Sequence, residues 1–229
     1  MKAPVVLALD TTDRVLACQW LDATKEYISV MKLGLEFYLA NGPAGISEVR
    51  ASAPELKLFL DLKLHDIPNT VAGAARSVAS LEPDFLTVHA SGGPAMIAAA
   101  AKELPNCAIT AVTVLTSLSE AEMSRLGISG NSQEIVIRWA LLAVEAGARA
   151  IVASPHEVAA LRGALPAHIT LITPGVRPAG SQTGDQARVA TPKEAITWGA
   201  DYVVIGRPIT SGKSLTDIAE NAREISCSL

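Results

Sequence analysis

The sequence of 229 residues predicts an α/β fold, a (β/α)8 TIM barrel that forms a single domain over residues 1–229. Short apolar runs rich in β-branched residues recur eight times, and segments with helical spacing lie between them. The runs are continuous rather than alternating in polarity, which is typical of strands buried on both faces of a parallel sheet. Eight strands that alternate with helices in a chain of this length favour the barrel. A doubly wound open sheet is the alternative, but the first strand is not followed by the G-x-G-x-x-G turn of that fold.

The predicted strands follow one another along the whole chain. In order they are PVVLALD (4–10), YISVMKLG (27–34), LKLFLDLK (56–63), DFLTVHA (84–90), CAITAVTVL (107–115), ARAIVAS (148–154), HITLITPG (168–175) and DYVVIG (201–206). Helical patterns between them include VAGAARSVASL, PAMIAAAAKEL, SQEIVIRWALLAVEAG, PHEVAALRGAL and TPKEAITWGA, and LTDIAENAREI follows the last strand. No linker or change of composition divides the chain, so we expect one domain.

Composition narrows the classes of partner. Hydrophobic residues make up 49% of the chain and the net charge is −4, so the sequence predicts ample core and no electrostatic footprint for nucleic acid. No basic amphipathic run or long apolar span indicates a membrane partner, and Asp10 interrupts the first apolar run, which we interpret as a strand rather than a signal peptide. Three scattered cysteines, Cys18, Cys107 and Cys227, suit reduced thiols, so we expect a cytoplasmic protein.

Charged residues gather where the predicted strands end. The stretch LKLFLDLKLHDIPNT (56–70) begins as a buried strand and then carries Asp61, Lys63 and Asp66, while Asp10 and Lys32 stand in the first two strands. Asp61 and Lys63 are two residues apart, so they should leave the same face of a strand. Because barrel active sites form at the carboxyl ends of the strands, these charges predict a confined site in which each group is paired. A purely structural ion-pair network is the alternative, and Asp10 and Asp66 also suit helix caps.

A second polar group is predicted after the last two strands. The segment VVIGRPIT (203–210) places Gly206 before Arg207, and glycine lets a backbone approach an anion while arginine binds phosphate with its planar fork. The long loop of residues 173–192, with Arg177 and Gln186, follows the seventh strand, and barrels of this kind frequently bind phosphate at these two positions. We therefore expect a phosphate-binding loop at about residues 173–192. The alternative is that the Gly-Arg turn only begins a helix.

Several motifs resemble one enzyme family. LDLKLHDIPNT resembles the D-x-K-x-x-D signature of orotidine 5′-monophosphate decarboxylases, and so do LALD, MKLG, VLTS, TPGVRPAGSQTGDQARVATP and VIGRPI in their order along the chain. The resemblance runs from residue 5 to about residue 220. It implies a carboxy-lyase that converts orotidine 5′-monophosphate to uridine 5′-monophosphate and CO2 in de novo pyrimidine biosynthesis. It implies direct decarboxylation with neither a metal nor an organic cofactor.

The resemblance also assigns roles to residues. Lys63 would protonate the pyrimidine carbon that loses CO2, and Asp61 would lie near the departing carboxylate. Lys32 and Asp66 would complete an alternating array of charges. Asp66 and Thr70 would reach the neighbouring active site of a homodimer. The predicted substrate-binding residues are Asp10, Lys32, Asp66 and Thr70 for the ribose, Thr116 for the pyrimidine, Ile67 and Pro174 for apolar walls, and Arg177, Gln186, Gly206 and Arg207 for the phosphate.

Two other functions remain as alternatives. Keto-gulonate-phosphate decarboxylases and hexulose-phosphate synthases share the fold and the signature but use Mg²⁺, and their second strand typically carries a glutamate. This chain has Lys32 there, and an ammonium repels a cation. A catalytically silent barrel that only binds a nucleotide phosphate is the other alternative, although a mere binder has no reason to keep so costly a cluster of charges.

Overall fold

The computed structural model describes residues 2–177 and 190–229, and it contains a closed barrel of eight parallel strands. The strands are β1 (Val5–Ala8), β2 (Val30–Gly34), β3 (Lys57–Leu64), β4 (Phe85–His89), β5 (Ala108–Val112), β6 (Ala150–Val152), β7 (Thr170–Thr173) and β8 (Tyr202–Ile205). Each pairs with its neighbours in chain order, and β8 pairs with β1 to close the barrel. Each of the eight predicted runs contains one of these strands or overlaps it, so the predicted fold class is confirmed.

Helices connect the strands and pack around them. They are α1 (Arg14–Thr24), α2 (Leu35–Ser52), α3 (Pro68–Ser77), α4 (Pro94–Glu103), α5 (Glu120–Arg125), α6 (Ser132–Glu145), α7 (Val158–Ala164), α8 (Pro192–Thr197), α9 (Arg207–Thr210) and α10 (Leu215–Cys227). The helix α2 is interrupted at Gly42, whose φ of 60° suits glycine, directly before Pro43. Within residues 2–177 and 190–229, no helix has the length and apolar character that spanning a membrane requires.

The strands contribute side chains to two separate apolar layers. One buried cluster joins six residues, Val6, Val30, Phe59, Phe85, Ala150 and Ile172. A larger cluster joins the other faces of the strands to the helices, for example Leu7 and Leu33 with Leu21 of α1. Because successive side chains of a strand point to opposite faces, each layer takes alternate residues. The smaller cluster fills the barrel interior, so side chains at the carboxyl ends of the strands stand on an apolar floor.

The helix caps decide two alternatives that the sequence left open. The N-cap of α1 is Asp13, whose carboxylate accepts hydrogen bonds from two backbone N–H groups of the first turn at 2.8 and 3.1 Å. The N-cap of α3 is Ile67, which supplies no side-chain hydrogen bond. Capping is therefore the wrong explanation for both Asp10 and Asp66.

Candidate active site

A cleft with a volume of about 320 Å³ opens at the carboxyl ends of the strands. The predicted site residues that line it are Asp10, Lys32, Asp61, Lys63, Thr116, Pro174, Arg177, Gly206 and Arg207. Apolar residues such as Phe59, Val112 and Val152 also line it. The cleft therefore combines an apolar lining with charged groups from five of the barrel's strands and their loops, β1, β2, β3, β7 and β8.

Four of the charged groups form a chain of alternating sign. Lys32 Nζ lies 3.2 Å from Asp61 Oδ2 and 3.4 Å from Asp10 Oδ1. Lys63 Nζ lies 2.8 Å from Asp61 Oδ1, which completes the order Asp10, Lys32, Asp61, Lys63. The side chains of Lys32 and Asp61 are only 10% and 13% exposed, whereas that of Lys63 is 33% exposed. The two inner charges thus depend on each other, and the Lys63 ammonium faces the open cleft.

Opposite charges keep the two inner groups ionised. Burial alone would lower the pKa of Lys32, but the carboxylates of Asp61 and Asp10 outweigh it, and the pKa lies above its usual value. Burial alone would raise the pKa of Asp61, but the ammonium groups of Lys32 and Lys63 hold it below its usual value. Both residues are therefore charged at neutral pH, which fixes the electrostatic field at the base of the cleft.

A strand irregularity brings Asp61 and Lys63 to the same side. Leu60 pairs with Leu86 and Leu64 pairs with Val88, so three residues of β3 lie opposite a single residue of β4. Lys63 has a φ of 48°, a left-handed conformation that is uncommon for a residue with a side chain. Simple alternation along a straight strand predicted the pair, but the structure reaches it through this bulge.

Thr87 is the single β4 residue within that bulge, and it is not among the site residues predicted from the sequence. Its hydroxyl accepts a hydrogen bond from the backbone N–H of Lys63 at 2.8 Å and donates one to Asp61 Oδ1 at 3.1 Å. The side chain is completely buried. Its signal in the sequence is a polar residue in the middle of the apolar run DFLTVHA, although threonine is common enough in strands that this signal is weak.

Three predicted residues stand outside the cleft of their own chain. Asp66, Ile67 and Thr70 follow β3, and all three are exposed, Ile67 by 67%. The carboxylate of Asp66 accepts a hydrogen bond from the backbone N–H of Ile67 at 2.7 Å. The array predicted from the sequence is therefore assembled within one chain except for Asp66.

The predicted phosphate-binding residues lie at the cleft beside β7 and β8. Gly206 is the N-cap of α9, and a side chain added there would come within 3.4 Å of both Ala8 and Asp10. The Gly-Arg turn therefore does begin a helix, and it also borders the cleft. The backbone N–H of Arg177 donates to the Ala190 carbonyl at 2.9 Å. Gln186 lies outside the described residues.

Comparisons with known proteins identify the family that the chain resembles in sequence and fold. Residues 3–225 match the family described as Orotidine 5'-phosphate decarboxylase / HUMPS family. A protein of Thermobifida fusca named orotidine 5′-phosphate decarboxylase is 58% identical over 210 residues, which cover 92% of this chain and 90% of that protein. A Moorella thermoacetica protein of the same name is 49% identical over 220 residues, covering 92% of this chain and 86% of that protein. The crystal structure of orotidine 5′-phosphate decarboxylase from Lactobacillus acidophilus superposes with a TM-score of 0.81 at 32% identity, covering 98% of this chain and 99% of that one.

Proposed function

The chain belongs to the orotidine 5′-phosphate decarboxylase / HUMPS family and is a carboxy-lyase, and we propose that its substrate is orotidine 5′-monophosphate. The reaction releases CO2 and yields uridine 5′-monophosphate, a step of de novo pyrimidine biosynthesis. One observation carries the proposal: the charged array of Lys32, Asp61 and Lys63 stands in the same cleft as Arg177 and Arg207. A substrate with a carboxylate at one end and a phosphate at the other suits that arrangement.

Lys63 is the proposed proton donor. Breaking the bond between the pyrimidine ring and its carboxyl group releases CO2 and leaves the electron pair on the ring carbon. An ammonium already fixed at that point stabilises the developing charge and then transfers its proton to the carbon, leaving a neutral lysine. The 2.8 Å contact with Asp61 supports this role, because the carboxylate holds the ammonium before substrate arrives. Charged groups that are already in position need not reorient during the reaction.

Asp61 and Lys32 are proposed to assist the reaction at the carbon that Lys63 protonates. Asp61 would stand near the departing substrate carboxylate, where repulsion between like charges favours loss of CO2. Lys32, with its raised pKa, compensates the Asp61 charge and would also contact the ribose together with Asp10. The alternating order of the charges thus favours the ionised forms of Lys32 and Asp61.

Other predicted residues would supply the remaining contacts of the proposed substrate. Thr116 would bind the pyrimidine and Pro174 would pack against it, and both line the cleft. Arg177, Gly206 and Arg207 would bind the phosphate, with Gln186 from the loop of residues 173–192. Binding energy from a phosphate remote from the reacting carbon is available to hold the ring against the charged array.

A homodimer would complete the site. Asp66 and Thr70 are proposed to reach the ribose of the neighbouring active site, with Ile67 as an apolar wall. Their exposure outside the cleft of their own chain supports this, and so does the 67% exposure of an isoleucine. The test mixes Lys63→Ala with Asp66→Ala after separation and reassociation of the subunits. Mixed dimers would each contain one intact site, so about a quarter of wild-type activity should return; no recovery would contradict a shared site.

The cytoplasm is the proposed location. Cys18, Cys107 and Cys227 are all free thiols, which supports a reducing compartment. Fractionation of the source cells with an antibody to the chain tests this, and recovery from the external medium would contradict it.

Direct decarboxylation without Mg²⁺ is proposed over the metal-using reactions. Lys32 Nζ lies between the carboxylates of Asp10 and Asp61. Its ammonium therefore occupies the position in which these two carboxylates would bind a metal cation. The deciding experiment is ultraviolet absorbance on mixing the protein with orotidine 5′-monophosphate in excess EDTA. Loss of the substrate band with formation of uridine 5′-monophosphate supports the proposal. No change in EDTA, with turnover of a sugar phosphate once Mg²⁺ is restored, would contradict it.

A further inference from the structure

Thr87 is a buried polar residue that touches the proposed proton donor at its backbone rather than at its ammonium. We propose that Thr87 is a positioning residue, whose hydroxyl fixes both Lys63 and Asp61 for proton transfer. The inference rests on the proposed function and adds a residue to it. Thr87 itself does not line the cleft, so it acts through its two partners.

The bulge in β3 explains why this hydroxyl is needed. Three residues of β3 lie opposite Thr87, so the regular ladder between β3 and β4 is interrupted there. The backbone N–H of Lys63 instead donates to the Thr87 hydroxyl at 2.8 Å. Buried backbone N–H groups require a partner, and Lys63 also holds an uncommon φ of 48°. Thr87 therefore stabilises the backbone conformation from which the Lys63 side chain starts.

The same hydroxyl fixes the position where that side chain ends. A threonine hydroxyl has one proton to donate, and here it goes to Asp61 Oδ1 at 3.1 Å. That oxygen also accepts the hydrogen bond from Lys63 Nζ at 2.8 Å. The contacts form a closed ring in which the Thr87 hydroxyl and the Asp61 carboxylate hold both ends of Lys63. Without the hydroxyl, Lys32 and Lys63 would still contact the Asp61 carboxylate, but the Lys63 backbone N–H and Asp61 Oδ1 would each lose a hydrogen bond.

The test removes the hydroxyl of Thr87 and keeps the shape of its side chain. Thr87→Val keeps the volume and removes the hydrogen bonds, and Thr87→Ser keeps the hydroxyl. A matched control is Thr110→Val: Thr110 is the β5 partner of Thr87, is equally buried, and donates its hydroxyl to the Ala108 carbonyl rather than to the charged array. Misplacement of a reacting group by about 1 Å costs up to about 100-fold in rate, so we expect kcat of Thr87→Val to fall by about 10- to 100-fold.

Other readouts separate positioning from a general structural effect. KM should change by less than about threefold, because the ribose and phosphate contacts remain. Thr87→Ser should restore kcat to within about threefold of wild type, and Thr110→Val should leave it unchanged. If Thr87→Val does not fold, Thr87→Ala replaces it as the variant without a hydroxyl. A crystal structure of the variant should show Lys63 outside the left-handed region or its Nζ no longer at 2.8 Å from Asp61.

The outcomes distinguish this inference from the proposed function. A wild-type protein that does not turn over orotidine 5′-monophosphate overturns the proposed function. An active wild type with Thr87→Val as fast as Thr110→Val overturns the positioning role alone. Equal losses of kcat in Thr87→Val and Thr87→Ser would overturn it too, because the shape of the residue and not its hydroxyl would then matter.

Discussion

Asp61→Asn tests how strongly one carboxylate holds two ammonium groups in the barrel. The substitution keeps the shape of the side chain and removes a charge that lies 2.8 Å from Lys63 Nζ and 3.2 Å from Lys32 Nζ. At an effective dielectric constant of about 20, each attraction would be about 5–6 kcal/mol. Solvent screens the contact with the partly exposed Lys63, and burial of Asp61 itself opposes the gain. Loss of one partner from a buried ion pair typically costs about 3–5 kcal/mol, and we expect that decrease in the free energy of unfolding at neutral pH.

The difference in free energy of unfolding between Asp61→Asn and wild type should decrease when the pH is lowered or raised from neutral. The pKa of Asp61 is lowered in the folded state, so its contribution is present at neutral pH and is lost as the pH falls through that lowered pKa. In Asp61→Asn, Lys32 stays buried but loses one of its two carboxylate partners. We therefore expect its pKa to fall below the usual lysine value. The cost of burying that charge then disappears as the pH rises toward the usual lysine pKa. The two proteins should therefore differ most near neutral pH.

Urea and thermal unfolding followed by circular dichroism, at fixed protein concentration, measure this difference. For a chain of this size the expected loss corresponds to a decrease in Tm of about 10 °C. Asp22→Asn is the control, since Asp22 pairs with Lys25 on the surface and its removal should leave unfolding unchanged. A loss below about 1 kcal/mol at neutral pH, or a difference independent of pH, would refute the argument from paired buried charges.

Further predictions concern single residues. Lys63→Ala should abolish turnover and leave binding of uridine 5′-monophosphate largely intact; a loss below about tenfold, on the order of 1.4 kcal/mol, would refute the proton-donor role. Asp13→Ala should lower the free energy of unfolding by about 1 kcal/mol, because the α1 cap is lost, and should leave kcat unchanged. Asp10→Ala should instead raise KM. Unfolding and kinetic measurements on both variants test this, and the reverse pattern would contradict it. Burial raises the pKa of the Cys107 thiol to about 12. Iodoacetamide at pH 8 should therefore alkylate the exposed Cys227 and not Cys107 in the native protein. Peptide mass spectrometry would report the labelled residues, and equal labelling would contradict the burial argument.

The barrel was predictable because its signal is local and repeated. Each continuous apolar run marks a strand without knowledge of its neighbours. The ends of the strands were less predictable, as β5 shows: the predicted run covers residues 107–115, but the strand ends at Val112. Val114 and Leu115 continue the apolar pattern because they line the cleft, so hydrophobicity does not mark where the ladder stops.

The details of the site depend on contacts between strands, which a single sequence does not contain. The bulge at Lys63 and the contact with Thr87 follow from the register of β3 against β4. The sequence DTTD likewise offers two aspartates near the start of α1, and only the structure distinguishes Asp13 at the cap from Asp10 at the cleft. Roles for Asp66 and Thr70 stay predictions, since they require a second chain.

Closure of the barrel by its first and last strands has a consequence for folding. Val5 pairs with Val203, and Gly206 lies against Ala8 and Asp10, so the cleft joins segments that are far apart in sequence. Contacts between such distant segments carry a large entropic cost and form slowly. A nascent chain still lacking β8 would have its charged array without the Gly206–Arg207 turn. Competence to bind substrate should therefore be among the last properties gained during refolding, and tight binding of substrate would favour the closed barrel over any opened form.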